Sequence, residues 1–170
     1  YGIAIGASHH DGVLIHGCAM VPPGGESAYL FVGQSGAGKT TMRSRLAGWT
    51  ALGDDTVLVR LRPSDGQLVV AGTPIPGKEG LPQLGLERPL GPVLFLEPKA
   101  ADLSLAPLTP TESFPRVMGQ TFCAFKSGPL ITSVLDTVMQ IALSSPSYVL
   151  SSSLHHDVAP SLLSKAGMTA

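Results

Sequence analysis

The stretch Phe31–Thr41, FVGQSGAGKTT, constrains this chain more than any other. Glycines weaken the interior of a strand or helix. Yet Gly33, Gly36 and Gly38 follow directly on the apolar run Ala28–Val32 and precede a segment able to form a helix. A strand must end here, the chain must turn tightly, and a helix must start near Lys39. Gly33–Thr40 also fits the pattern G-x-x-x-x-G-K-[ST] at every position. Average residue frequencies put such a match well under about 1% by chance in a chain of this length.

Each residue type in the loop has a physical task. Glycines let successive backbone N–H groups turn inwards and approach phosphate oxygens with no Cβ in the way. The helix that follows adds its positive N-terminal end. Lys39 reaches the β- and γ-phosphates of a nucleotide as a point charge, and the Thr40 hydroxyl holds Mg²⁺. The expected nucleotide-binding set is Gly33, Gln34, Ser35, Gly36, Ala37, Gly38, Lys39, Thr40 and Thr41.

Around this loop the pattern predicts a mixed α/β chain. Strands are expected at Gly12–Val21, Ala28–Gly33, Trp49–Leu52, Thr56–Leu61, Gln67–Gly72 and Gly91–Pro98, with a last one at SYVL. GGES, between the first two, reads as a hairpin turn. Helices are expected at Lys39–Ala47, stopped by Gly48, and at Ser127–Leu143, with a short one at Pro160–Ala166. Thr109-Pro110-Thr111-Glu112 reads as a capped helix start. In the long helix Leu130, Ile131, Val134, Leu135, Val138, Ile141 and Ala142 recur near helical spacing and should face the core. Gly72–Gly85, rich in proline and glycine, should be loop. Strands crowd the first half and helices the second, so this is not a clean alternation of strand and helix.

Bulk numbers narrow the function. The 170 residues suit one domain over 1–170 with one sizeable core. The start at Tyr1 is what an excised catalytic domain would show. Hydrophobic residues make up 44%, and the mean hydropathy is +0.27, as in a globular protein. A net charge of -1, with no cluster of Lys and Arg, argues against a nucleic-acid partner. No apolar run approaches the roughly 20 residues that span a bilayer, and the N-terminal residues lack the features of a signal peptide. The expectation is a cytoplasmic protein with Cys18 and Cys123 as buried, reduced thiols.

Phosphoryl chemistry on such a loop also needs an acidic group for Mg²⁺ and a group that positions the nucleophile. Asp54-Asp55 is the nearest candidate, just behind the short strand that ends in TAL. A strand beside the phosphate-loop strand would bring this pair to the cation. Two neighbouring carboxylates allow one to hold Mg²⁺ and the other to accept a proton from an incoming hydroxyl. His16 stands within an apolar strand, where a histidine is more often a satisfied core residue than a catalytic one. His9-His10 and His155-His156 lack the partners of a metal site. Trp49 should be core at the end of the helix behind the loop.

Taken together, His16-Gly17, a hairpin, Gly33–Thr40 and the segment LGDDTVLV resemble the catalytic domain of HPr kinase/phosphorylase and its kinase-like relatives. The resemblance is specific over about Gly12–Arg60, a third of the chain. GTPIPGK and PLGPVLFLEP look like the relatives rather than the bifunctional enzyme. The resemblance implies a compact P-loop domain similar to the core of phosphoenolpyruvate carboxykinase, with a mixed sheet and helices packed on it, in a family that often forms homo-oligomers. It implies ATP on Gly33–Thr40, Asp55 as proton acceptor, Asp54 supporting the metal, and His16 as an active-site histidine. One family feature is missing: where a Mg²⁺-binding Glu is expected, this chain reads VVAGTPIPGK, with Glu79 as a weak substitute. Lys78, in the same loop, is a candidate to neutralise charge on the phosphoryl in transfer.

Three readings follow. The first is an ATP- and Mg²⁺-dependent kinase that phosphorylates a Ser or Thr hydroxyl of a protein or peptide, with no nucleic-acid or membrane partner. The second is a non-catalytic nucleotide-binding module that regulates a partner. The third is a simple NTPase.

Overall fold

Two strands too long for a single partner organise the fold. Gly12–Val21 (β1) and Glu87–Pro98 (β6) each pair differently along their two halves. The first half of β1 runs antiparallel to Thr56–Leu61 (β4), with His16 opposite Thr56. Its second half pairs Ala28–Val32 (β2) on one edge and Thr50–Gly53 (β3) on the other, both antiparallel. The first residues of β6 pair antiparallel with Leu68–Gly72 (β5), and its later ones run parallel to β2. The order β2-β1-β4-β5-β6 thus returns to β2 and closes a five-stranded ring. Ser147–Ser152 (β8), parallel to β6, and Ser104–Leu108 (β7), antiparallel to β8, extend the sheet beyond the ring.

The chain is described here from a computed structural model over residues 12–75, 85–98, 102–123, 128–152 and 157–165. Lys78 and Glu79, most of the proline- and glycine-rich loop, and both histidine pairs lie outside these residues.

Among the described residues four helices flank the sheet: Lys39–Arg45 (α1), Pro110–Met118 (α2), Pro129–Ser144 (α3) and Ala159–Lys165 (α4). The period of two along the strands divides the apolar residues between two clusters. Val13, Ile15, Leu30, Val32, Val57, Val59, Val70, Val93 and Phe95 form one cluster with Val117 of α2 and Val134, Val138 and Ile141 of α3. Cys18, Met20, Tyr29, Phe31, Leu94 and Leu96 face the other way, onto Met42 and Leu46 behind the loop and Leu162 of α4. The buried apolar residues thus fall into two clusters, where the sequence suggested one core. Trp49 belongs to the second, edge-on to Tyr29 with ring centroids 5.1 Å apart.

Most expected elements are present, and the departures have local causes. β6 begins at Glu87, four residues before the apolar run at Gly91, because ERPL pairs with β5 despite its polar residues and proline. β7, SLAPL, was not expected: it is mostly exposed and carries a proline, which only an edge strand tolerates readily. α1 ends at Arg45, two residues short of the expected Ala47. α3 buries Val134, Val138, Ile141 and Ala142, but Leu135 is 38% exposed. Leu135, Met139 and Leu143 form a second row at four-residue spacing, turned to solvent. The cap of α2 is as expected: the Thr109 hydroxyl accepts from the Glu112 N–H, and the Glu112 carboxylate accepts from the Thr109 N–H.

Cys18 is buried as expected, Cys123 is only half-buried, and no disulfide joins them. Among the described residues no helix is long and apolar enough to cross a membrane.

Candidate functional site

The phosphate-loop motif leaves β2 at Gly33 and enters α1 at Lys39. Gly36 and Gly38 take φ of +83° and +99°, the left-handed region that only glycine enters without strain. A Cβ at either would meet nothing within 4 Å, so the loop opens to solvent on this side. Inside the turn the Ala37 N–H donates to the Gln34 carbonyl at 3.0 Å, and the Met42 N–H to the Gly38 carbonyl at 2.7 Å. Gln34, Ser35 and Gly36 are exposed, while Gly38, Thr40 and Thr41 are half-buried.

Lys39 is buried, at 7% exposure. Its ammonium donates to the Gly33 carbonyl at 2.7 Å and the Gln34 carbonyl at 3.2 Å, bridging the mouth of the loop. It also lies 2.9 Å from His16 Nε2. An ammonium offers only N–H groups, so Nε2 must accept here. The ring proton then sits on Nδ1, which faces Asp55 Oδ1 at 3.6 Å. Lys39, His16 and Asp55 form one continuous line of contacts from the loop to the acidic pair.

That line depends on β1. Gly17 brings β1 against β2: a Cβ there would stand 2.9 Å from the Phe31 carbonyl oxygen. The Gly17 N–H donates to the Asp55 carbonyl at 3.1 Å, which ties the acidic turn to the strand carrying His16. The Thr73 hydroxyl donates to the Thr56 carbonyl at 3.0 Å from the other side. A strand beside the phosphate-loop strand would bring the acidic pair to the loop directly, but β3 is not that strand: it pairs with β1, and β1 stands between it and β2. The hairpin partner of β2 occupies that edge, and His16 spans the gap.

The two aspartates diverge. Asp55 has a half-exposed side chain, 53% accessible. Asp54 is buried, and its Oδ2 lies 3.5 Å from the Arg43 guanidinium. Arg43 is four residues beyond Lys39 and three beyond Thr40, on the same side of α1. Asp54 is thereby drawn towards the helix whose first residues are the Lys and Thr of the motif.

Two features of the site had no reading in the sequence. Arg43 was detectable in principle, since its spacing from Lys39 puts it on one helix face. Phe122 was not. The segment after α2 lies along β1, with the His16 N–H donating to the Gln120 carbonyl at 2.7 Å and the Phe122 N–H to the Leu14 carbonyl at 2.8 Å. This continues the edge of β1 where β2 departs into the loop. Phe122 is 47% exposed, and its ring stands edge-on to His16 with centroids 6.3 Å apart.

Among the described residues no group of three or more His, Cys, Asp and Glu side chains stands together as a metal site. A divalent ion here would share its coordination with phosphate oxygens and the Thr40 hydroxyl, as Mg²⁺ usually does. No protein-family model and no curated protein sequence matches this chain.

Proposed function

We propose that this chain is an ATP- and Mg²⁺-dependent phosphotransferase of the HPr-kinase-like P-loop type, moving the γ-phosphoryl group to a Ser or Thr hydroxyl of a protein or peptide. The observation that carries the reading is the line Lys39–His16–Asp55. It joins the end of a phosphate-loop motif to a half-exposed carboxylate, so electrophile and base would share one site.

In this reading the open loop turns its N–H groups to the phosphates, which fit because no Cβ fills the space at Gly36 and Gly38. Lys39 exchanges its loop carbonyls for phosphate oxygens. Thr40 and Asp54 would hold Mg²⁺, which supplies charge neutralisation on the phosphates. Asp55 accepts the proton of the incoming hydroxyl at its carboxylate. His16, donating from Nδ1 towards Asp55, orients that carboxylate and keeps Lys39 on the loop side. Most of the rate in such a transfer comes from positioning and charge stabilisation rather than covalent chemistry by the protein. Lys78 retains its assignment as a further cation for the phosphoryl group, and a homo-oligomer remains part of the proposal.

The test is transfer of label from [γ-³²P]ATP to a panel of Ser- and Thr-containing peptides and proteins, with Asp55→Asn as control. Asp55-dependent label on an acceptor supports the kinase. Mg²⁺-dependent ATP binding with label passing only to water points to an NTPase. Binding with no turnover points to a regulatory nucleotide module.

A further inference from the structure

Phe122 stands in water where a phenylalanine would ordinarily be covered. Among the described residues the exposed large apolar side chains are Leu135, Met139 and Leu143, the outer row of α3, and Phe122. Phe122 is not on a loose end. Its N–H donates to the Leu14 carbonyl at 2.8 Å, and Thr121 pairs with Ile15 of β1. The backbone therefore holds the ring in place.

The register fixes the face on which the ring stands. Side chains alternate along both paired segments. Thr121 shares the face of its partner Ile15, which packs in the first apolar cluster. Phe122 and His16 fall on the other face, with Cys18 and Met20. Met42 and Leu46 behind the loop pack onto that face, so Phe122 lies on the side of the sheet that carries α1. Its ring meets His16 edge-on, while His16 Nδ1 faces Asp55 at 3.6 Å and Nε2 faces the Lys39 ammonium at 2.9 Å.

On the phosphate-binding reading, these contacts put the ring at the γ end of a nucleotide. The lysine of the motif meets the β- and γ-phosphates, so the groups beyond Lys39 surround the phosphoryl group and not the base. An acceptor hydroxyl must come within about 3 Å of the Asp55 carboxylate to give up its proton. Its oxygen then bonds to the γ-phosphorus as the bond to ADP breaks. An extended peptide advances about 3.3–3.6 Å per residue. A peptide anchored at Asp55 therefore carries its next residues past His16 to the Phe122 ring.

We propose that Phe122 is a specificity-determining residue of the acceptor site: its ring takes an apolar side chain of the acceptor peptide, one or two residues from the phosphorylated Ser or Thr. The assignment rests on the kinase reading. The ring is half exposed in the free chain, and a bound acceptor removes that apolar area from water.

The probe is a library of peptides, each with one Ser or Thr, flanked at the two positions on either side by Gly or by Leu, Ile, Met or Phe. Each is given to the full chain with [γ-³²P]ATP and Mg²⁺. Wild type should favour an apolar residue at one of these positions by about 10-fold in kcat/KM, the low end of what one apolar contact discriminates. Phe122→Ala should bring that ratio close to one, mainly through the KM of the apolar peptides, and Phe122→Leu should keep most of it. A ring that only props His16 would lower kcat on every peptide alike in Phe122→Ala and leave the ratio unmoved. A ring that stacks on the base would weaken ATP binding in calorimetry. Either result, or no apolar preference in wild type, overturns the assignment while the kinase reading stands. A wild-type chain that labels no peptide of the library also overturns it; label on a protein acceptor would then keep the kinase reading, and label on neither removes both.

Discussion

The two walls of the candidate site are built in opposite ways. The phosphate loop, Gly33–Thr41, is contiguous, and its shape follows from glycines at two left-handed positions and the helix start at Lys39. The facing wall draws His16 from β1, Asp54 and Asp55 from the β3–β4 turn, and Phe122 from the segment after α2. Its members are up to 106 residues apart in sequence and meet only because each is tied to β1. A local wall should respond to substitution through binding. A long-range wall should respond through chemistry, and through the stability of the strand that gathers it.

The largest expected effect breaks the facing wall alone. On the proposed kinase reading, Asp55→Asn should cut phosphoryl transfer about 100- to 10,000-fold, the usual contribution of a positioned base, with nucleotide affinity at the wild-type level. Transfer at the wild-type rate in this variant would remove Asp55 from the chemistry. Next comes the loop. Lys39→Ala removes a charged donor, and calorimetry should show ATP affinity lower by about 10- to 100-fold, as for loss of a charge-assisted hydrogen bond.

Two glycine substitutions sharpen the comparison. Gly36→Ala forces a Cβ into a left-handed conformation at a cost of about 1–2 kcal/mol. The strain sits in the folded chain whatever the space around it, so the melting temperature should fall by about 2–8 °C, and nucleotide binding should weaken where the loop relaxes to relieve it. Gly17→Ala places its Cβ 2.9 Å from the Phe31 carbonyl, inside the sheet. It should lower stability by about 1–3 kcal/mol, as overpacking does, and weaken transfer by displacing His16. A melting temperature unmoved by Gly36→Ala, or a sheet indifferent to Gly17→Ala, would contradict these readings of the two walls.

The smallest expected effect lies in the cap of α2, the helix that leads into the Phe122 segment. Hydrogen bonds, first from the Thr109 N–H and then from its hydroxyl, hold the Glu112 carboxyl below the usual carboxylate range. A lowered folded value means that the unfolded chain binds the proton first. The stabilisation is therefore present above the ordinary Glu value of 4.5 and is lost as pH falls through the lower folded value. Thermal melts of Glu112→Gln should fall slightly below wild type at pH 7 and converge with it in acid. A gap that persists in acid would assign the cap's contribution to something other than the ionised carboxylate.

The contrast between the walls also marks how far the sequence could be read. Locally encoded features were legible: the glycine loop, the hairpin before it, the Thr109–Glu112 cap and most strand and helix positions. Each depends on neighbours within a few residues. The row Leu135, Met139 and Leu143 shows the limit of periodicity, because α3 has more apolar residues than one buried face can cover. β7 and the first residues of β6 were missed because pairing partners, not side-chain pattern, hold them in the sheet.

By itself the sequence determined the phosphate-loop motif, the acidic pair and the mixed α/β character of the chain, since composition and short-range spacing encode all three. The tertiary structure alone decided that β1 would stand between the acidic strand and the loop strand, so that His16 bridges Lys39 and Asp55. It also decided that Asp54 would turn inward to Arg43 and Asp55 outward. Those outcomes depend on strand order and register, which follow from burying two apolar faces at once and which no local stretch of residues contains.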